Sequence, residues 1–158
     1  MNVEYINPFI EASQMVLKQI ANLDTTLGKI FIKTSPYESD SVAIIIGITG
    51  KIRGQVIFIM NTKLAMKIAS SMMCGMPVTE LDEISKSAIS ELTNVILGNT
   101  ATILYNRGVG IEITPPSLLI GESMQISTNR LKTVCIPLHI SETEAFEIDI
   151  SIVDDRND

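Results

Sequence analysis

The 158 residues carry a hydrophobic fraction of 46% and a formal net charge of −6. A chain of that length can bury one substantial core, and an acidic balance without clustered Lys and Arg excludes general affinity for nucleic acid, because neutralising phosphates needs such clusters. No apolar run approaches the ~20 residues that span a bilayer, and the first apolar residues, interrupted by Glu4 and Asn7, lack the pattern of a secretion signal. A soluble cytoplasmic protein without membrane insertion is therefore expected. Its two cysteines, Cys74 and Cys135, show no metal-ligand spacing, and the single His139 completes no zinc set. Both thiols read as small buried hydrophobes in a reducing compartment.

In chain order, Phe9, Ala12, Val16, Leu17 and Ile20 recur at helical spacing and predict an amphipathic helix over residues 4–23. Pro8 falls near its start, where a missing N–H does little harm. A strand over 27–34, ended by Ser35-Pro36, follows. Residues 41–48 read as a second strand, buried on both faces because their apolar positions do not alternate with polar ones. Thr49-Gly50-Lys51 supplies hairpin chemistry, and 52–60 returns as a third strand, which suggests an antiparallel meander. Gly47, Gly50 and Gly54 belong to that hairpin; no Gly-Lys-Ser/Thr leads from them into a helix, as a phosphate loop would require.

Asn61-Thr62 can cap a helix over 63–74, closed by Gly75-Met76-Pro77. Met72, Met73 and Met76 read as core rather than as a soft binding lip. Asp82, Glu83 and Ser85 open a long helix to about Asn106, with acidic residues at its positive end, and Arg107-Gly108-Val109-Gly110 stops it. Pro115-Pro116 excludes regular helix and leaves 118–121 extended. Residues 131–140 and 145–153 form a final hairpin, in which Phe146, Ile148, Ile150 and Ile152 alternate with Glu147, Asp149 and Ser151 to give one buried and one wet face. That hairpin offers a free sheet edge. His139 is expected on a strand face with a local hydrogen bond, and residues 154–158 form a solvated acidic tail. The fold class is α/β of the α+β type: one domain over residues 1–153, with helices packed on an antiparallel sheet.

The long helix carries two stripes. At about 100° per residue, Ile89, Leu92, Ile96 and Ile103 cluster on one side, and Ser87, Glu91, Asn94 and Gly98 on nearly the opposite one. An ordinary solvated face would be filled with Lys, Glu, Gln and Arg; this one has a lone carboxylate and a lone carboxamide one turn apart, beside two very small residues. Asn and Gly each cost roughly 0.5–1 kcal/mol inside a helix, so something other than helix stability selects them. Asn99 falls on the core side and reads as an amide bonded to neighbouring backbone.

The order Ser87-x-x-x-Glu91-x-x-Asn94-x-x-x-Gly98-Asn99, followed by Ile113-Thr114-Pro115-Pro116-Ser117, resembles the CheX branch of the CheC/CheX chemotaxis phosphatases, which dephosphorylate response regulators of the CheY type. The resemblance implies that Glu91 and Asn94 are the catalytic pair. Asn94 would hold an in-line water, and Glu91 would pair with the regulator's lysine. Ser87, Gly98, Pro115 and Pro116 would border the partner's approach. It implies no cofactor and no metal of the chain's own, since Mg²⁺ comes with the partner, and it implies a homodimer. The CheC branch usually has a second Glu/Asn helix. Here the other Glu-x-x-Asn, Glu4 to Asn7, precedes Pro8 and is expected outside a helix, which favours the single-site CheX type. Two alternatives remain: a catalytically silent module that docks on a response regulator or flagellar-switch component, and a ligand-binding regulatory domain, for which no convergent polar set speaks.

Overall fold

The computed structural model describes residues 2–128 and 132–154; Leu131, at the start of the expected final hairpin, and residues 155–158 of the expected tail lie outside them. The first helix, α1 (Val3–Ala21), is capped by Asn2, whose side chain accepts the Glu4 N–H at 2.9 Å. Phe9, Ala12, Val16 and Leu17 are buried along its inner face, as their spacing predicts. Pro8, however, lies inside the helix. It removes only the bond that the Glu4 carbonyl would have accepted, and the Asn2 cap starts the helix far enough upstream that Glu4 and Asn7 are helical too. The expectation that this pair lies outside a helix is thereby corrected.

Three short strands follow, β1 (Thr26–Leu27), β2 (Phe31–Lys33) and β3 (Tyr37–Ser39), then the long hairpin β4 (Val42–Gly50) and β5 (Ile52–Met60). Asn61 caps α2 (Thr62–Met72) by accepting the Leu64 N–H at 2.7 Å. The long helix α3 (Glu83–Asn106) is succeeded by β6 (Ile111–Ile113), β7 (Ser117–Ile120), β8 (Met124–Ile126), β9 (Thr133–His139) and β10 (Ala145–Asp154). Asp154, expected to begin the tail, is the last residue of β10, where it accepts the Tyr5 hydroxyl at 2.6 Å. Among the described residues no helix is long and apolar enough to cross a membrane.

The main sheet runs β1-β9-β10-β5-β4-β6, with β2 also paired to β9 and β7 to β4; β3 and β8 form a separate two-stranded sheet. This corrects two expectations. The strand expected over 27–34 is split into β1 and β2 and lies on β9 instead of continuing a meander into β4. The final hairpin is interior, because β10 pairs with β5 and β9 is covered by β1 and β2; the edges are β1 and β2 on one side and β6 and β7 on the other.

The three helices pack on one face of the sheet. Even-numbered positions of β4, β5, β9 and β10, among them Ile44, Phe58, Ile136 and Ile148, join Phe9, Leu17, Leu64 and Leu92 in a single core. The other face is covered in part by the β3–β8 sheet, through Tyr37, Met124 and Ile126 against Ala43, Ile57 and Ile59. That cover explains why β10 has no wet face in its middle: Asp149 and Ser151 are each 1% exposed. Of the cysteines, Cys135 is buried as expected, but Cys74 is exposed just after α2. Met72 packs against the core, whereas Met76 is exposed. His139 is exposed at the end of β9, where its ring lies against Gly28 and makes no hydrogen bond among the described residues.

Candidate functional site

Helix α3 is anchored at its start by Asp82, whose carboxylate accepts the Ser85 hydroxyl at 2.7 Å and the Ser85 N–H at 2.9 Å. Those bonds hold the Asp82 carboxyl below its ordinary value. Along the inner side Ile89, Leu92 and Ile96 are fully buried. The polar side chains there turn back on the helix backbone: Thr93 donates to the Ser90 carbonyl, Thr100 to that of Ile96 and Asn99 to that of Val95, at 2.8, 2.8 and 2.9 Å. Asn99 is thus the backbone-bonded amide that its position predicts.

On the outer side the arrangement is opposite. Ser87, Glu91 and Gly98 are exposed and Asn94 is half-buried. Neither the Glu91 carboxylate nor the Asn94 carboxamide has a hydrogen-bond or ion-pair partner among the described residues. A Cβ placed on Gly98 would meet no atom within 4 Å, so this glycine is not required by the chain's own packing.

The stripe faces a depression of about 580 Å³, lined from α3 by Glu83, Lys86, Ser87, Ser90, Glu91 and Asn94 and opposite them by Pro116, Leu118 and Ile120. The opposite wall is placed by two pairings. Thr114 receives the Gly47 N–H on its hydroxyl at 2.8 Å and gives its own N–H to the Gly47 carbonyl at 3.0 Å. Beyond the proline pair, β7 then aligns on β4, with Leu118 opposite Ile44 and Ile120 opposite Val42. Among the site residues named from the sequence, Ser87, Glu91, Asn94 and Pro116 meet at the depression. Gly98 lies one turn further along the stripe, and Pro115 is exposed outside the lining.

Sequence reading missed Lys86, Ser90, Leu118 and Ile120. Lys86 contacts Glu83 at 3.3 Å and places a cation at the rim; helical spacing from Ser90 and Asn94 could have flagged it. The apolar wall had no local signal, because it depends on β7 pairing with β4. The other Glu-x-x-Asn, on α1, lies elsewhere: Glu4 borders a separate cavity with Tyr5, Leu104, Arg107 and Val109, near the far end of α3. Glu11 stands where the small residue of the stripe would be and contacts Arg107 at 3.7 Å.

A second polar group sits on the opposite face of the sheet. Cys135, Glu147 and Asp149 converge there, with the Lys33 ammonium 2.7 Å from Glu147 and 3.5 Å from Asp149. Burial and the adjacent Glu147 carboxylate push the Asp149 carboxyl up to about 7, and burial likewise pushes the Cys135 thiol up. Burial opposes the charge on Lys33, but its bond to Glu147 and the charge of Asp149 outweigh that and raise it.

Known proteins share this architecture. Residues 42–139 match the family model described as chemotaxis phosphatase CheX. The chain is 29% identical over 152 residues, covering 96% of it and 97% of the relative, to the CheY-P phosphatase CheX of Thermotoga maritima. It is similar in structure to a CheC-like superfamily protein from Shewanella sp. PV-4, with a TM-score of 0.86, 26% identity, and 97% and 99% of the two chains covered. It is also similar to a solved CheX–CheY–BeF3–Mg²⁺ complex from Borrelia burgdorferi, with a TM-score of 0.80, 27% identity, and 97% and 100% covered.

Proposed function

The chain belongs to the chemotaxis phosphatase CheX family, and from that premise we propose that it is an enzyme that hydrolyses the aspartyl phosphate of a CheY-type response regulator, with Asn94 placing the attacking water and Glu91 holding the two proteins in register. The observation that carries the residue assignment is the contrast within one helix. Asn99 and Thr93 are tied to backbone, while Glu91 and Asn94 project without partners among the described residues beside an open depression of about 580 Å³.

In the reaction, a water oxygen attacks phosphorus as the bond to the aspartyl oxygen breaks. The carboxylate leaves with the electron pair, the water's proton passes to solvent, and inorganic phosphate is released. Positioning supplies much of the rate of such a transfer. A carboxamide is suited to holding the water, since it can both accept from it and donate to it and brings no anionic charge toward the phosphoryl group. Glu91, one turn earlier, provides the anion that a regulator's active-site lysine would pair with. The small residues Ser87 and Gly98 leave room for the partner's backbone, and Pro116 with Leu118 forms an apolar wall against which it can seat. Mg²⁺ is supplied by the regulator, and the chain contributes no cofactor of its own to this step. The setting is the cytoplasm, where response regulators act. Two copies would pair through the β1–β2 edge, where Leu27, Phe31 and Ile32 are exposed.

The test is to follow loss of phosphate from a purified, phosphorylated CheY-type regulator with and without the protein. Acceleration is expected, and Asn94→Ala should remove it by about 10²–10³-fold, as for other positioned polar groups, while leaving folding and regulator binding intact. Binding without acceleration by the parental chain would make it a silent docking module.

A further inference from the structure

The helix-free face of the sheet holds a group of side chains that the phosphatase reaction does not use. Cys135 on β9 is the direct cross-strand partner of Asp149 on β10. Glu147 lies two residues before Asp149 and therefore on the same face. One ligand atom from each of the three lies within 4.8 Å of the other two. The Asp149 side chain is 0% exposed, and neither of its oxygens accepts a hydrogen bond. Buried carboxylate oxygens are ordinarily satisfied; here Oδ2 has only the Lys33 ammonium at 3.5 Å, Oδ1 has no partner among the described residues, and the buried Tyr37 hydroxyl near them is unpartnered as well, a shortfall that an ion would meet. Lys33 answers only part of this demand: one ammonium faces two carboxylates, and its shorter contact is to Glu147.

We propose that Cys135, Glu147 and Asp149 form a binding site for a divalent metal ion of the zinc type. A thiolate with two carboxylates is a donor set that zinc accepts at about 2.0–2.3 Å per bond. Bonds of that length put ligand atoms roughly 3.3–3.8 Å apart, so the three side chains close in by about one ångström when the ion enters. A thiolate and two carboxylates carry three negative charges, of which the dication offsets two in place of the single Lys33 ammonium. On binding, the Cys135 thiol and any protonated Asp149 carboxyl give their protons to solvent, the sulfur–metal and oxygen–metal bonds form, and Lys33 shifts from Glu147 toward the neighbouring cavity of about 240 Å³, where Glu38 and Asp40 receive it. That cavity opens on Glu147 and provides the approach for the ion. The ring of Tyr37, 4.7 Å from the Lys33 ammonium, closes the site from the β3 side. Because the group lies across the sheet from α3, the ion would not reach the depression at Glu91 and Asn94.

Cobalt(II), which reports thiolate ligation by a charge-transfer band in the near ultraviolet, tests this on the full-length, metal-stripped protein. One equivalent should develop the band, and zinc should displace it. Cys135→Ser should abolish it and Asp149→Asn should weaken cobalt binding at least tenfold, whereas Cys74→Ser, which removes the exposed thiol, should leave it unchanged. Lys33→Met removes the competing ammonium and should tighten binding about tenfold, a result that keeps the test decisive should the Cys135 or Asp149 variants fold poorly. No band in the parent at stoichiometric cobalt, or a band that survives Cys135→Ser, overturns the site. Phosphatase activity is a separate readout, so failure here leaves the regulator assignment standing.

Discussion

At the scale of single residues, Glu91 and Gly98 make opposite demands on the free protein and the complex. Glu91 has no partner among the described residues, so Glu91→Ala should melt like the parent yet bind the phosphorylated regulator about tenfold or more weakly, because it truncates one side of a charge pair desolvated at the interface. Glu91→Lys should be worse, since it opposes the regulator's lysine. Unchanged affinity in both, measured by titration, would remove the charge pairing. Gly98 is exposed in mid-helix with no neighbour within 4 Å of an added Cβ. Gly98→Ala should therefore stabilise the free protein by about 0.5–1 kcal/mol, the usual gain on replacing a helical glycine. Gly98→Trp should fold and lose regulator binding. Should Gly98→Trp bind like the parent, the partner does not approach along this part of the stripe.

At the scale of elements, α3 is read by its rotation. Leu92 is fully buried and Asn94 faces the depression. Leu92→Asn should destabilise the fold by about 3–5 kcal/mol through lost apolar burial and an unpaired amide. Asn94→Leu should keep a near-parental thermal midpoint and be inactive. The order of the two midpoints is the measurement; the reverse order would mean that the helix is turned about its axis. The same helix shows how polar side chains divide their work: Thr93, Asn99 and Thr100 satisfy themselves on helix carbonyls, whereas Glu91 and Asn94 on the outer side stay available to a partner.

At the scale of the whole molecule, the sheet depends on a close approach of β5 and β10. Gly54 has φ +147° and lies opposite Ile152, and an added Cβ would overlap the Ser151 carbonyl oxygen. Gly54→Val therefore combines a strained backbone with a clash against main chain, neither of which a rotamer change relieves. It should lower the denaturant midpoint severely or prevent folding, and a parental midpoint would show that this pairing is not what joins the two halves of the sheet.

The sequence by itself determined the features whose causes are local. Asn61 and Asp82 mark helix starts because a cap is written in the capping residue and the few that follow it. The two stripes of α3 follow from the 3.6-residue period, so Glu91 and Asn94 could be separated from Leu92 before any fold was known, and the β4–β5 and β9–β10 hairpins follow from turns joining adjacent strands. Tertiary structure decided what lies across from each face. Alternation in β10 marks Glu147 and Asp149 as sharing one side but does not say that the β3–β8 sheet and Lys33 of β2 lie over it, which is why a face expected to be wet is buried. The pairing of β2 with β9 and of β7 with β4 joins segments about 70 residues or more apart, so neither the Cys135 cluster nor the apolar wall opposite Asn94 has a signature within any short window. Periodicity assigns a side chain to a face; only packing between distant segments decides whether that face meets water, another strand or a partner.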